Sequence, residues 1–233
     1  GTKIAFVSRD EFLNTDIWVA TRDGSGLTRL TTYGGSDDQP TWSLDGTQIV
    51  FRSMRSGQSQ LWIMNADGSN QRNLMGNSYN MLGGQQSHPT VGSNNRIYFQ
   101  VTYPEYDRSV LASMPINGTW QDVREHTPMG MSDSDPAASW SGSSIMVRRK
   151  QGNMDAGLIY VDLTGNTVFT INYPGQGFMP AWSRNDQWIA YSTSDDGQYP
   201  TNVFVAKPHD FWRKQITIGV AAGGGKNPVF VKR

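Results

Sequence analysis

The chain has 233 residues, 20 Lys plus Arg balanced by 20 Asp plus Glu, 25 glycines, 11 prolines and no cysteine. A formal net charge of zero argues against a general attraction to nucleic acid or to an anionic membrane, and the missing thiols exclude disulfides and thiolate metal sites. No run approaches the ~18 consecutive apolar residues of a membrane span, while a 17% charged content with abundant glycine and proline suits many short strands joined by turns.

Taken in order, the chain opens on a strand, GTKIAFVS, followed by an apolar segment over 16–20, the turn text Arg22-Asp23-Gly24-Ser25-Gly26 and a segment over 27–31. Residues 39–53, QPTWSLDGTQIVFRS, read as a short strand over 41–43, a turn at Leu44-Asp45-Gly46 and an alternating strand over 48–52. The same text returns as HPTVGSNNRIYFQV from His88, DPAASWSGSSIMVRR from Asp135 and MPAWSRNDQWIAYST from Met179. A fifth copy is divided between the termini, because NPVFVKR at the end joined to GTKIAFVS at the start has the same spacing. Each copy's second strand reaches the same point at Phe6, Phe51, Phe99, Val147 and Tyr191, in steps of 45, 48, 48 and 44 residues.

A period in the forties with four short strands per repeat, and no 3.6-residue apolar rhythm, predicts a β-propeller. The expected fold is all-β: one domain over 1–233, five blades of four antiparallel strands, and a ring closed by pairing the C-terminal strand with the N-terminal strands. The third strands are expected at 16–20, 60–64, 109–113, 158–162 and 202–206, and the fourth at 27–31, 71–75, 122–126, 168–172 and 214–218. Because the chain starts at a blade strand without a visible signal peptide, it reads as a processed or trimmed product. Alternation assigns Trp42, Trp182, Phe230, Ile49, Phe51, Ile97, Phe99, Ile145, Val147, Ile189 and Tyr191 to the core. Trp18, Trp62, Val110, Ile159 and Phe204 join them from the third strands.

Residues 40–74, PTWSLDGTQIVFRSMRSGQSQLWIMNADGSNQRNL, resemble the PD40, or WD40-like, repeat of TolB-type propellers, and DIWVATRDGSGLTRLT over 16–31 fits the same pattern. The likeness weakens in the middle, where Trp is replaced by Val91 or displaced to Trp140 and Asp-Gly by Asn94-Asn95. The resemblance implies a protein-binding propeller of the bacterial periplasm or an extracellular location, which the absence of cysteine suits. TolB-type propellers with six blades and an added N-terminal domain differ from the five repeats read here, so their individual partners are not carried over.

In a propeller the connections from second to third strand and from fourth strand to the next repeat share one face, and here they are the longest and least repetitive segments. They hold Phe12, Tyr33, Tyr79, Tyr103, Tyr106, Phe178 and Tyr199, candidates for stacking on a glycan or for a protein-recognition patch. Arg52 and Arg148, at the ends of second strands, are candidates for clamping a carboxylate. The residue before each repeated proline, Gln39, His88, Asp135, Met179 or Asn227, is expected to approach the channel. There Asp38 and Asp135 are candidate ligands of a structural calcium, with an ordered-water channel as the alternative; no other cofactor is expected.

Enzymatic alternatives have less material to work with. Carbohydrate-active propellers need converging carboxylates, yet glutamate occurs only at Glu11, Glu105 and Glu125. The three histidines, His88, His126 and His209, lie far apart in the repeats and do not resemble the histidine-rich metal site of oligogalacturonate lyases. No nucleophile elbow or phosphate-binding loop is present. The expectation is a monomeric, non-catalytic binding module for a protein partner. The alternatives are a lectin-like module or a carbohydrate-active enzyme using Asp38, Asp135 and His88.

Overall fold

The computed structural model describes residues 1–10, 12–76, 83–152, 154–162, 165–171, 176–194, 202–208 and 213–216. Each repeat folds into one small antiparallel sheet whose strands follow one another in chain order. The first sheet comprises β1 (Lys3–Arg9), β2 (Thr15–Thr21) and β3 (Thr28–Arg29). Its expected first strand, at 229–233, lies outside the described residues, as do Asn227 and Phe230. The second sheet is β4 (Asp37–Trp42), β5 (Gln48–Ser53), β6 (Gln60–Asn65) and β7 (Arg72–Asn73). The third is β8 (Gln85–Val91), β9 (Arg96–Tyr103), β10 (Arg108–Pro115) and β11 (Arg124–Glu125). The fourth is β12 (Met131–Ala138), β13 (Ile145–Gln151), β14 (Met154–Val161) and β15 (Thr167–Ile171). The fifth is β16 (Gln176–Trp182), β17 (Ile189–Ser194), β18 (Asn202–Ala206) and β19 (Arg213–Gln215).

The chain forms two compact units. The first takes Gly1–Val91, Asn95–Asp107 and Ser113–Arg124, and the second takes Gly92–Asn94, Arg108–Ala112 and Glu125–Arg233. In the first unit, Ile17, Val19 and Leu30 of the first sheet pack with Ile49, Phe51 and Met64 of the second, flanked by Ala5, Trp42 and Trp62. In the second unit, Ala137, Met146, Leu158 and Tyr160 pack with Ile189, Tyr191 and Ala206. The Tyr160 ring meets Trp182 edge-on at 5.2 Å, Tyr191 stacks on Phe204 at 5.7 Å, and the Trp182 indole N–H donates to the Ala137 carbonyl at 3.1 Å. Burial removes water from the Tyr160 phenol and pushes its pKa up.

The second strands β5, β9, β13 and β17 are buried on both faces, whereas β1 keeps Ile4 and Val7 exposed. Alternation selects Ile49 and Phe51, Ile97 and Phe99, Ile145 and Val147, but their neighbours Val50, Tyr98 and Met146 are equally buried. A strand with a sheet packed against each face needs apolar side chains in both directions, so a two-residue period captures only half of this core. Trp18, Trp42, Trp62, Trp182 and Phe204 are half-buried rather than fully enclosed.

The innermost strands begin earlier than the sequence suggests. β4 starts at Asp37 instead of 41, and β8, β12 and β16 also start ahead of their prolines. The reason is a bulge at the same place in each. The residue before the proline turns left-handed, with φ of 52° at Gln39, His88 and Asp135 and 50° at Met179, and pairing resumes only after the proline. Proline has no N–H for the ladder, and the extra residue of a bulge accommodates it.

The Asp-Gly turn text has its own hydrogen-bond logic. Asp23 accepts from the Thr21 hydroxyl and from the N–H and hydroxyl of Ser25 at 3.0 and 2.8 Å; Asp45 accepts from the Ser43 hydroxyl at 2.6 Å and from Thr47; Asp67 accepts from both groups of Ser69. These donors favour the anion, the hydroxyl bonds most strongly, so all three carboxyls titrate below the usual range, Asp23 at about 2. Their contribution to stability is complete above pH ~4 and is lost as the pH falls through the folded-state values toward about 2. The melting temperature is therefore expected to fall between pH 4 and 2, with a shallower slope in Asp23→Asn. An unchanged slope in that variant would show that the turn does not hold the anion.

Candidate functional site

At the bulges, the first unit brings two of the predicted inner residues together. The backbone N–H of His88 donates to Gln39 Oε1 at 2.7 Å, which identifies the amide's oxygen. The Gln39 Nε2 group, a donor only, then faces His88 Nε2 at 3.2 Å, so that ring nitrogen is the acceptor. The ring's proton sits on Nδ1 and points to Ser87 Oγ at 3.0 Å. This arrangement links neighbouring inner strands across two sheets. The two sheets are also joined by Ser59, whose hydroxyl donates to the Gln86 carbonyl at 2.6 Å and whose carbonyl accepts the Gln86 N–H at 2.9 Å.

The predicted arginines already hold carboxylates of the chain itself. Arg52 grips Asp38 with two bonds, Nε to Oδ1 at 2.6 Å and Nη2 to Oδ2. The hydrogen bond from Arg52 to Asp38, more than their Coulombic attraction, holds the guanidinium above its ordinary pKa. Both residues belong to paired positions of β4 and β5, so the clamp lies within one sheet. Arg148 likewise binds Asp155 of the adjacent strand, with Nε at 2.9 Å from Oδ2. Both oxygens of Asp38, a candidate calcium ligand, are thus engaged by Arg52. Asp135 occupies the left-handed bulge position of β12, half-buried. Among the described residues no three His, Asp or Glu side chains converge as a metal site.

Besides the Arg29–Asp16 pair within the first sheet, two further ion pairs among the described residues were not legible in the sequence. Arg149 is only 3% exposed and grips the buried Asp133 with two bonds of 2.7 Å. Arg55 binds Asp37 at 2.6 Å and lies over three aromatic rings, its Cζ 4.5 Å from the Trp62 centroid, 5.4 Å from Tyr33 and 5.5 Å from Phe51. Tyr33, predicted as a ligand residue, thus packs on Arg55 while keeping 54% of its surface exposed. The only available signal was an acid two residues before the bulge in each of these repeats.

The remaining loop aromatics divide by position. Phe12, in the β1–β2 connection, and Tyr106, in the β9–β10 connection, are each 75% exposed, and Met129 ahead of β12 is 96% exposed. Tyr103 closes β9, and a single 3-10 turn (Pro104–Tyr106) carries the chain to Tyr106. Tyr79 and Tyr199 lie outside the described residues, and for Phe178 only the backbone in β16 is described. Tyr103, Pro104, Glu105 and Tyr106 line an open cleft of about 210 Å³ with Gln58, Gly83, Gly84 and Gln85. Gly84 allows this close approach: a Cβ there would lie 2.5 Å from Val101 Cγ1 and 3.0 Å from the Tyr103 ring. The cleft therefore joins two predicted aromatics with polar residues that sequence reasoning had not singled out.

Residues 1–186 match the TolB beta propeller domain family, PD40. An uncharacterised protein of Agrobacterium fabrum (strain C58 / ATCC 33970) is 34% identical over 178 residues, which are 76% of this chain and 46% of that protein. The chain thus spans less than half the length of that relative. Among solved structures, TolB from Acinetobacter baumannii superposes with a TM-score of 0.74 at 13% identity, covering 93% of this chain and 53% of that one. A TolB-like protein from Agrobacterium tumefaciens, described as putative TolB, gives 0.68 at 11% identity, covering 91% and 79%. An oligogalacturonate lyase in complex with manganese gives 0.59 at 15% identity, covering 85% and 55%. At such identities the likeness concerns the fold alone: the five sheets are five propeller blades.

Proposed function

Because the chain belongs to the TolB β-propeller family, we propose that it is a non-catalytic binding module that recognises a protein partner through the loops at one end of its sheets. One observation carries this reading. The polar groups nearest the repeated prolines are engaged with one another, Asp38 with Arg52 and Gln39 with His88, whereas Phe12, Tyr33, Tyr106 and Met129 in the second-to-third and fourth-to-first connections remain more than half exposed. A carboxylate with both oxygens bonded to a guanidinium presents no open oxygen to a substrate's proton. Exposed aromatics and methionine are side chains enriched at protein interfaces. The proposed setting is the bacterial periplasm or the extracellular space, with the module acting as a monomer.

A photo-crosslinking amino acid placed at Phe12 or Tyr106, and for comparison at Leu27 or Gln187 in the turns at the other end of their sheets, tests this in a bacterial envelope extract. The expected result is one discrete protein adduct from Phe12 and Tyr106 and none from Leu27 and Gln187. Adducts from all four positions alike, or from none, would overturn the reading.

A further inference from the structure

Resting on that reading, we infer that the cleft beside Tyr103 and Tyr106 takes an arginine side chain of the protein partner. Charge is the first argument. Glu105 is the one charged residue among those lining the cleft, and the cation nearest to it in sequence, Arg108, is committed to the carbonyls of Met131 and Thr127 at 3.2 and 3.4 Å. Residues 77–82, which precede Gly83, contain no charged side chain. Among the described residues, no ion pair engages Glu105, the cleft's one carboxylate.

Size and shape are the second. At about 210 Å³ the cleft is smaller than the ~300–1,000 Å³ typical of pockets for drug-sized ligands, so it has room for one side chain rather than an oligosaccharide. It offers two tyrosine rings, a carboxylate and the amides of Gln58 and Gln85, and the missing side chain of Gly84 lets the Tyr103 ring lie close against the backbone.

The third argument is that the same molecule already solves this recognition problem internally. Arg55 is held by aromatic rings, by the carboxylate of Asp37 and by Gln71 Oε1 at 2.7 Å from Nη1. Tyr103, Tyr106, Glu105 and the two glutamines repeat that set of groups around open space. A guanidinium matches it because a planar, delocalised cation stacks on a ring while its edge donates to a carboxylate and an amide.

The test is an NMR titration of the whole chain with N-acetyl-arginine amide at low salt, against the uncharged isostere N-acetyl-citrulline amide and the disaccharide diacetylchitobiose. Saturable shifts of the Gly83, Gly84, Gln85 and Glu105 amides are expected with the arginine compound only. Glu105→Gln and Tyr106→Ala should each weaken binding by about threefold or more; both side chains are exposed, so the fold is retained. Equal shifts with citrulline, stronger shifts with the disaccharide, or an unaffected Glu105→Gln would overturn the inference. The two readings fail separately. If Glu105→Gln still yields the crosslinked adduct from Phe12 at full strength, the cleft is not the partner's site and the binding-module reading stands. If arginine saturates the cleft while no position crosslinks, the cleft stands and the module reading falls.

Discussion

Asp133→Ala is expected to destabilise the protein by about 3–5 kcal/mol, because it strands a guanidinium inside the second unit. Arg149 is 3% exposed, and both of its bonds of 2.7 Å go to Asp133, leaving only Thr167 Oγ1 and the Gly165 carbonyl as partners. Asp133 also accepts from Thr127 Oγ1 at 2.8 Å, and that hydroxyl in turn accepts the Leu111 N–H at 2.8 Å, so the change loosens the link from β10 through Thr127 to β12. Replacing both charges, as Asp133→Leu with Arg149→Met, should recover most of the loss, since an apolar pair avoids desolvating either ion. Urea denaturation of the three variants measures this. A loss below about 1 kcal/mol in Asp133→Ala would mean that the pair is hydrated in solution.

Gly165→Ala is expected to cost about 3 kcal/mol or more, the sum of overpacking and a left-handed backbone. Its φ is +85°, and a Cβ would fall 1.5 Å from the His126 carbonyl oxygen, a backbone atom that cannot rotate away. Gly24→Ala is the matched control: φ is +86° there, nothing lies within 4 Å, and the expected loss is the conformational ~1–2 kcal/mol alone. The Gly165 carbonyl accepts from Arg149 at 3.1 Å, so Gly165→Ala combined with Asp133→Ala should cost less than the two single losses together. Strict additivity would show that the carbonyl contact carries no energy.

For the binding reading, the loop chemistry was partly legible beforehand. Tyr103 and Tyr106 were recognisable because they interrupt a repeat with aromatic residues where turns elsewhere are small and polar. Gln58, Gly84 and Gln85, contributed by other connections, carry no such mark, since only the approach of separate segments gives them a common function. Arg52 and Arg148, read from the sequence as candidates for clamping a ligand's carboxylate, hold carboxylates of their own sheets, Asp38 and Asp155.

By itself the sequence determined the repeats, the order of strands within each sheet and the Asp-Gly turns, because these depend on local alternation, proline and glycine placement, and hydrogen bonds over two to five residues. The tertiary structure alone decided the rest: that β5, β9, β13 and β17 are apolar on both faces, that the residues before Pro40, Pro89, Pro136 and Pro180 are left-handed inside a strand, and that Gln39 meets His88 and Arg55 lies among Tyr33, Phe51 and Trp62. Gln39 and His88 lie 49 residues apart, and even the nearer partners of Arg55 meet it only once the strands are paired; no local preference encodes these contacts, which exist because sheets stack and remove water from the groups between them.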